Sequence, residues 1–283
     1  MQDKFDLDGY FERIGYGGPA AARLETLCEI HRLHPQAIAF ENLNPLMHWP
    51  VPLDMSSLQR KLVVQRRGGY CYEHNLLLKH ALECIGFRVA GLAARVLINQ
   101  PEDAIRPRTH MLLQVDIADE IWIADVGFGG MTLTAPLRLV EHVPQATPHE
   151  PFRLTRLGGD YALQAEVRSE WRTLYRFDLQ EQVLPDYELA SWYLSNHPES
   201  HFVLRLNVAR TQPQRRYALR HNELAIHELN GETVRRSLTS AGALREALIK
   251  TFGIALPDSA ELESKLAQIA QSGSGGISPG SAP

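Results

Sequence analysis

The stretch Q-R-R-G-G-Y-C-Y-E-H-N, residues 65–75, places a cysteine where a helix is expected to begin. The two glycines before it allow a tight turn and a close approach of the backbone. In the first turn of a helix, free N–H groups and the helix dipole favour a thiolate, and the same N–H groups could hold an oxyanion. Cys71 is therefore a candidate nucleophile for covalent catalysis. A small buried core residue is the alternative, which fits Cys28 and Cys84.

A cysteine nucleophile needs a base and a group that orients the base. His110 opens a predicted strand in T-H-M-L-L, and Asp125 ends the next predicted strand in W-I-A-D-V-G-F-G-G. Two consecutive strands of a hairpin can bring their ends side by side, so the order Cys71, His110, Asp125 indicates a triad. The residues alone leave another interpretation open, because a histidine in a strand is often a core residue and an aspartate before glycine often forms a turn.

The G-F-G-G segment does not predict a dinucleotide site, since it lacks the G-x-G-x-x-G spacing and a following helix. Gly127, Gly129 and Gly130 are expected either to leave backbone N–H groups open beside the nucleophile or to form a plain turn. His31 and His34, in H-R-L-H, have no further ligands in the sequence pattern, so no metal site is expected.

Residues 1–87 are predicted to be mostly helical and to carry the nucleophile. The helix over A-A-R-L-E-T-L-C-E-I-H-R-L-H is expected to end before Pro35. The next helix is expected to take Ser56 or Ser57 as its N-cap. The third is expected to begin at the cysteine motif and to stop at a glycine.

Residues 88–185 are predicted to form short strands, and turn signals such as G-G-D between them are typical of a small barrel or sandwich. Residues 186–271 mix both types. H-F-V-L-R-L-N-V-A-R, R-Y-A-L-R and E-L-A-I-H-E-L predict an antiparallel meander with a turn at Asn230-Gly231, and A-L-R-E-A-L-I-K-T-F predicts a helix. Residues 272–283 are predicted to be a flexible tail.

Composition limits the class of protein. The 283 residues are 44% hydrophobic and 22% charged, with a net charge of −4. No run of like charge predicts a nucleic-acid partner, and no apolar run approaches the ~20 residues that span a bilayer. The N-terminus lacks the apolar core of a signal peptide. Three cysteines without a signal indicate free thiols, and a cytoplasmic protein is expected.

With these motifs in place, the chain resembles the arylamine N-acetyltransferase family, in its bacterial form, over nearly its whole length. The motifs that carry the resemblance are R-I-G-Y-G-G, A-F-E-N-L, R-G-G-Y-C-Y-E-H-N, R-T-H-M-L-L, W-I-A-D-V-G-F-G-G and S-W-Y-L-S-N-H-P-E-S-H-F. The resemblance implies an α+β fold in three parts: a helical domain (1–87), a small β-barrel domain (88–185) and an α/β lid (186–271). It implies a cysteine-protease-like Cys-His-Asp triad: Cys71 as nucleophile, His110 as base and Asp125 as orienter.

The resemblance implies a ping-pong acyltransferase of xenobiotic metabolism. Acetyl-CoA, as co-substrate, acetylates the cysteine; an arylamine, arylhydrazine or N-arylhydroxylamine then takes the acetyl group on nitrogen or oxygen. No metal and no tightly bound cofactor are implied, because a thioester donor and a thioester intermediate are nearly matched in energy. An aromatic amine is a neutral nucleophile at pH 7, so deacylation needs only a base and an oriented substrate. The implied partners are the aromatic amine or hydrazine and acyl-CoA, without nucleic acid or membrane; a homodimer is left open.

Further residues carry over from the family by position. Those that line the family's acceptor pocket are Phe40, Tyr72, Phe128 and Phe202, with ordinary core packing as the alternative for each. Those in the region that meets the pantetheine of CoA are Thr109, Gly127, Phe128 and Gly129. Glu41 and Arg67 match a pair that is expected to form a structural ion pair near the site. Position 74 is His where the family more often has Gln. A surface position on the helix is expected for it, and a position close enough to perturb the thiolate is the alternative.

Three other functions remain open on the same sequence. An amide synthase that releases a carrier-bound polyketide would use the same fold and triad. A cysteine hydrolase of the papain or transglutaminase type would pass the acyl group to water or to lysine. A non-enzymatic binding module would keep the fold without a reactive cysteine.

Overall fold

The computed structural model describes residues 5–229 and 231–272. The α-helices are α1 (Leu7–Ile14), α2 (Leu24–Ala37), α3 (Leu43–Leu46), α4 (Met55–Leu58), α5 (Cys71–Ile85), α6 (Leu184–Asn196), α7 (His201–Leu204), α8 (Ala241–Glu246) and α9 (Ala260–Gln271). The irregular helical turns are the π-helical Gln59–Val64 and Ala247–Thr251 and the 3-10 turn Gly129–Met131. The strands are β1 (Phe40–Glu41), β2 (Arg88–Val96), β3 (Arg108–Ile117), β4 (Glu120–Ala124), β5 (Leu137–Arg138), β6 (Phe152–Leu157), β7 (Asp160–Val167), β8 (Glu170–Phe177), β9 (Asn207–Gln212), β10 (Arg215–Arg220), β11 (Glu223–Glu228) and β12 (Thr233–Ser237). The chain therefore has the predicted α+β fold.

Helix α5 is the central helix of the N-terminal part. Its start is fixed by Glu73, whose carboxylate accepts a hydrogen bond from the backbone N–H of Tyr70 at 3.0 Å. It ends at Gly86, which takes a left-handed conformation with φ 104°. Most of its side chains are buried, because helices pack on one side and the barrel strands on the other. Cys71 is thereby held at a buried helix N-terminus whose first turn is closed by Glu73.

The strands of the middle segment form a seven-stranded antiparallel sheet in the order β5-β4-β3-β2-β8-β7-β6. Bridges between residues 141 and 154 and between 145 and 152 join the chain after β5 to β6, so the sheet nearly closes into a barrel. A register shift in β2, between Ala94 and Arg95, interrupts its pairing with β3, and such bulges bend a strand. In the β3–β4 hairpin Leu113 pairs with Ala124, which brings the start of β3 to the end of β4.

The C-terminal part has a five-stranded antiparallel sheet in the order β1-β9-β10-β11-β12. Its first strand comes from the N-terminal segment, because Phe40 pairs with Ala209 of β9. Leucines of α8 and α9 are buried in one hydrophobic cluster with leucines of this sheet. Phe252, which follows the π-helical turn Ala247–Thr251, belongs to the same cluster. The division into domains at 87 and 185 stays a prediction, and β1 ties the first segment to the third.

Two details of the helical segment were predicted wrongly. Helix α2 runs through Pro35 to Ala37, because proline removes only one donor and the N–H of Ile38 still bonds to the carbonyl of His34. The N-cap of α4 is neither Ser56 nor Ser57. It is Asp54, whose carboxylate accepts the backbone N–H of Ser57 at 2.9 Å.

The segment H-F-V-L, predicted as the start of a strand, forms helix α7 instead. Ser200 caps it by accepting the N–H of Phe202 at 3.3 Å, and the strand β9 begins only at Asn207. Helix α9 was not predicted. Asn230 of the predicted turn and residues 273–283 of the predicted tail lie outside the described residues. In the described ranges, none of the helices combines the length and apolar character needed to cross a membrane.

Candidate active site

Cys71 lies at the first position of α5, beside the start of β3. Its side chain is almost fully buried, and its sulfur lies 3.7 Å from the carbonyl oxygen of Thr109. His110 lines the same cavity as Cys71, and the neighbouring Cys71 side chain is one of the groups that raise the pKa of His110. The predicted nucleophile and the predicted base are thus neighbours.

The other side of the imidazole faces Asp125. Nε2 of His110 donates to Oδ2 of Asp125 at 2.7 Å, which leaves Nδ1 for the sulfur. Burial by itself would lower the pKa of His110. The charge of Asp125 and the hydrogen bonds to Asp125 and Cys71 outweigh burial and raise this pKa to about 10. A protonated imidazole between carboxylate and sulfur is therefore stable near neutral pH.

The carboxylate of Asp125 is fully buried and accepts four hydrogen bonds. Besides that from His110, they come from the side-chain amide of Asn75 at 3.0 Å, the N–H of Gly127 at 2.9 Å and the hydroxyl of Tyr175 at 2.9 Å. Burial opposes the charge on Asp125, but the charge of His110 and the hydrogen bonds from His110, Asn75 and Gly127 lower its pKa below the ordinary value. Asp125 is thus a fixed anion with both oxygens occupied.

Sequence reasoning missed Asn75 and Tyr175. Asn75 follows Cys71 by four residues in α5, so helical spacing places both on one face and was a usable signal. Its amide also donates to the carbonyl of Met111 at 2.7 Å, which ties α5 to β3. Tyr175 lies in β8, which is distant from Asp125 in the sequence, and only the pairing of the barrel strands brings it to Asp125.

His31, predicted not to bind metal, supports the backbone of Asp125. Its Nε2 accepts the N–H of Asp125 at 3.1 Å, and burial lowers its pKa to about 4, so the ring is a neutral acceptor. In the part of the chain that the structure describes, no group of three or more His, Cys, Asp or Glu side chains could hold a metal ion.

Gly127 is needed where it lies. A Cβ at this position would come within 2.9 Å of Cα of Cys71 and 2.9 Å of Nδ2 of Asn75. The expectation that Gly127 leaves its N–H open beside the nucleophile was wrong, because Asp125 accepts that N–H. The glycine instead allows the loop after β4 to touch the start of α5.

Replacing Gly127 with alanine is expected to separate Asp125 from Cys71. Overpacking of this kind costs about 1–3 kcal/mol, so we expect both the free energy of unfolding and the rate of Cys71 alkylation by iodoacetamide to fall. Gly130→Ala is the matched control, because among the described residues a Cβ at Gly130 meets no atom within 4 Å. Equal behaviour of the two variants would contradict the close-approach role of Gly127.

A cavity of about 110 Å³ opens above the cysteine. An engineered cavity of about 150 Å³ takes up benzene, so this one is on the scale of an acyl group or one small ring. The predicted contact residues that line it, with Cys71 and His110, are Phe40, Thr109, Gly127, Phe128, Gly129 and Phe202. Tyr72 is not among the lining residues; it is buried with its ring 5.7 Å from that of Tyr187. Core packing, the alternative given for Tyr72, fits its position.

Comparison with known proteins decides the family. A family model described as N-acetyltransferase matches residues 23–261. A Mycolicibacterium smegmatis protein named arylamine N-acetyltransferase is 45% identical over 270 residues, which cover 93% of this chain and 98% of that protein. The chain belongs to the arylamine N-acetyltransferase family. The resemblance stated from the sequence motifs is thereby confirmed.

Two further members of the arylamine N-acetyltransferase family extend the comparison. The arylamine N-acetyltransferase of Escherichia coli (strain K12) is 41% identical, over 89% of this chain and 90% of that protein. The structure of Mycobacterium marinum arylamine N-acetyltransferase in complex with CoA matches with a TM-score of 0.89 and 42% identity, over 93% of this chain and 99% of that chain. The predicted fold class is thereby confirmed.

The expected ion pair of Glu41 and Arg67 is present. Arg67 donates to one carboxylate oxygen of Glu41 at 2.7 Å, and the other oxygen accepts the N–H of Leu43 at 2.6 Å. Both side chains are buried. Burial opposes the charge on Glu41, but the neighbouring Arg67 and Lys61 lower its pKa below the ordinary value.

Replacing Glu41 with glutamine is expected to lower the free energy of unfolding by about 3–5 kcal/mol, because the buried Arg67 would lose its counter-charge. Urea unfolding followed by fluorescence measures this. The control is Arg88→Gln, which removes a surface pair whose Arg88 side chain is 85% exposed, and which should change stability by at most about 1 kcal/mol. Unchanged unfolding together with a slower reaction in Glu41→Gln would refute the structural role.

The expected surface position of His74 was wrong. Its side chain is fully buried, with Nε2 3.2 Å from the carbonyl oxygen of Ala39. Because other elements surround the first turns of α5, Glu73, His74 and Asn75 face the interior as well as the leucines.

Proposed function

We propose that the chain transfers an acetyl group from acetyl-CoA, through a thioester on Cys71, to the nitrogen of arylamines and arylhydrazines or to the oxygen of N-arylhydroxylamines. The observation that carries the proposal is the arrangement of three side chains at an aromatic-lined cavity: Cys71 neighbours His110, and His110 bonds to Asp125. Membership of the arylamine N-acetyltransferase family and the CoA complex of the Mycobacterium marinum relative support the choice of donor and acceptor.

In the first half-reaction, Cys71 attacks the thioester carbonyl of acetyl-CoA. The proton of the thiol already resides on Nδ1 of His110, because the pKa of this ring is raised to about 10, and Asp125 stabilises the imidazolium. The C–S bond to CoA breaks, and the CoA thiolate receives the proton from His110. The products are S-acetylated Cys71 and free CoA, with His110 now neutral.

In the second half-reaction, the lone pair of the amine nitrogen attacks the acetyl carbon. His110 accepts the proton that the nitrogen loses, and the bond to the sulfur of Cys71 breaks. The proton on His110 restores the thiol or stays in the ion pair, and the N-acetyl product leaves. This step competes with hydrolysis, so a cavity that is dry around the thioester favours transfer.

The lining residues have distinct proposed roles. Phe40 and Phe202, with ring centroids 5.9 Å apart, form a wall for the aromatic acceptor. Thr109, Gly127 and Gly129 face the pantetheine arm, together with Phe128. The Phe128 ring stands edge-on to His110 at 5.0 Å and so also shields the imidazole from water.

The proposal places the protein in the cytoplasm. It also assigns every catalytic residue to a single copy of the chain, and the comparisons add no support for the homodimer left open above.

Initial-rate kinetics test the proposal against its rivals. With acetyl-CoA and an arylamine both varied, a covalent intermediate predicts parallel double-reciprocal lines. Intersecting lines would contradict a free acetyl-enzyme. Release of CoA at the full rate without amine would identify the hydrolase alternative. CoA release limited to one equivalent, with no N-acetyl product, would favour the amide synthase.

A further inference from the structure

Three buried side chains that the proposed reaction does not use form a chain of hydrogen bonds that ends next to a residue of the cavity wall. The hydroxyl of Tyr10 lies 2.8 Å from Nδ1 of His34. Nε2 of His34 lies 2.9 Å from Nδ1 of His74, and Nε2 of His74 lies 3.2 Å from the carbonyl oxygen of Ala39. The three side chains come from α1, α2 and α5 and are fully buried. We call Tyr10, His34 and His74 the histidine relay.

The direction of every hydrogen bond in the relay follows from its end point. A carbonyl oxygen only accepts, so Nε2 of His74 carries a proton and Nδ1 of the neutral ring accepts. His34 must then donate from Nε2 and accept at Nδ1, so Tyr10 donates its hydroxyl proton. Burial lowers the pKa of His74 to about 4 and that of His34 well below its ordinary range. Both rings are therefore neutral near pH 7, as this direction requires.

The relay ends beside the wall of the cavity. The carbonyl of Ala39 also accepts the N–H of Gly69 at 3.4 Å, in the loop that leads to Cys71. The next residue, Phe40, lines the cavity, and its ring lies nearly parallel to that of His74, with centroids 6.4 Å apart. Because the relay stops at a carbonyl oxygen, it delivers no proton to the reacting atoms. Any effect of the relay on the reaction must therefore act through the position of the backbone at Ala39 and of the neighbouring Phe40.

We propose that the histidine relay positions Phe40 for the aromatic acceptor and so acts on the second half-reaction. This role of the relay rests on the proposed function, because that function assigns Phe40 to binding of the aromatic acceptor. Among the hydrogen bonds of the described residues, none joins the relay to Cys71, His110 or Asp125. The intrinsic reactivity of the thiol should therefore be independent of the relay, whereas transfer to an aromatic amine should depend on it.

The test compares His74→Leu with His74→Gln. Leucine removes both the donor and the acceptor, whereas the glutamine amide can donate to Ala39 and accept from His34. We expect His74→Leu to lower kcat/KM for an arylamine about tenfold, equivalent to about 1.4 kcal/mol. Alkylation of Cys71 by iodoacetamide, which needs no aromatic wall, should stay near the wild-type rate. His74→Gln should retain most of the arylamine kcat/KM.

Tyr10→Phe keeps the test decisive if His74→Leu folds poorly. It removes only the hydroxyl at the far end of the relay, so we expect a smaller loss of arylamine kcat/KM with alkylation unchanged. Tyr16→Phe is the control, because its hydroxyl bonds to the carbonyl of Pro19, outside the relay, at 2.9 Å. Nitrogen NMR of the imidazoles should show His34 and His74 protonated at Nε2.

Four results would contradict the positioning role of the histidine relay. The first two are an equal loss of arylamine kcat/KM in His74→Leu and His74→Gln, and an unchanged arylamine kcat/KM in both His74→Leu and Tyr10→Phe. The others are a rate of Cys71 alkylation that falls in parallel with acetyl transfer, and protonation of His34 and His74 at Nδ1 instead of Nε2. A failure of the proposed function would look different: the wild-type protein would not be acetylated by acetyl-CoA, while the alkylation and NMR results would stand.

Discussion

Replacing Cys71 with serine is expected to abolish acetyl transfer, with kcat/KM falling on the order of 10⁴-fold or more, as when a catalytic nucleophile is removed. The hydroxyl of serine is far less acidic than a thiol, so His110 would not generate the alkoxide as it generates the thiolate. The measurement is the rate of N-acetyl product formation from acetyl-CoA and an arylamine. The fold should survive, because serine differs from cysteine by one atom.

Cys28→Ser is the matched control for this substitution. Cys28 is a free, half-buried cysteine in α2, away from the cavity lining. It should keep the wild-type rate. Substantial turnover in Cys71→Ser, or an equal loss in Cys28→Ser, would contradict the role of Cys71 as the nucleophile.

Replacing Asp125 with asparagine is expected to lower kcat/KM by about 10³–10⁴-fold, as for the corresponding change in a serine-protease triad. The two oxygens of Asp125 accept four hydrogen bonds. In the variant, the NH₂ of asparagine must face donors that previously met an oxygen, so His110 loses its orientation. The imidazole also loses the charge that offsets burial, so the pKa of His110 should fall from about 10. The protonated imidazole beside the sulfur would then no longer be stable at pH 7.

The pH profile of Cys71 alkylation separates this effect from simple unfolding. In the wild type the imidazolium persists up to the raised pKa of His110, whereas in Asp125→Asn it should be lost at a lower pH. Tyr175→Phe is a milder substitution for comparison, because it removes one hydrogen bond to Asp125 and leaves the charge of Asp125 in place. Its free energy of unfolding is expected to fall by about 0.5–1.5 kcal/mol. A pH profile in Asp125→Asn that matches the wild type would refute the role of the Asp125 charge.

The proximity of Cys71, His110 and Asp125 could be predicted because these residues lie in motifs at the ends of elements that are close in the chain. Cys71 begins α5, and after the intervening strand β2 the hairpin of β3 and β4 brings His110 to Asp125. Asn75, on the same helix face as Cys71, could have been found by the same reasoning. Tyr175 and His31 could not, because their approach to Asp125 depends on closure of the barrel and on the packing of α2.

Burial was the main property that sequence patterns left open. Tyr72 and Phe202 are both buried aromatic residues, yet only Phe202 lines the cavity. His74 was expected at the surface, although the leucines at 76–78 in the same helix already indicated burial on more than one face. The histidine relay depends on side chains from three helices, and no local spacing predicts such a contact.

The central claim is that Cys71 carries the acetyl group between donor and acceptor, and intact mass spectrometry tests it most directly. The protein is mixed with acetyl-CoA, and then with an arylamine such as 4-aminosalicylate. We predict the gain of one acetyl group, located on Cys71 by peptide mapping, and its loss to the amine as the N-acetyl product. No gain of mass with acetyl-CoA, or an acetyl group on Cys71 that the amine does not remove, would contradict the account.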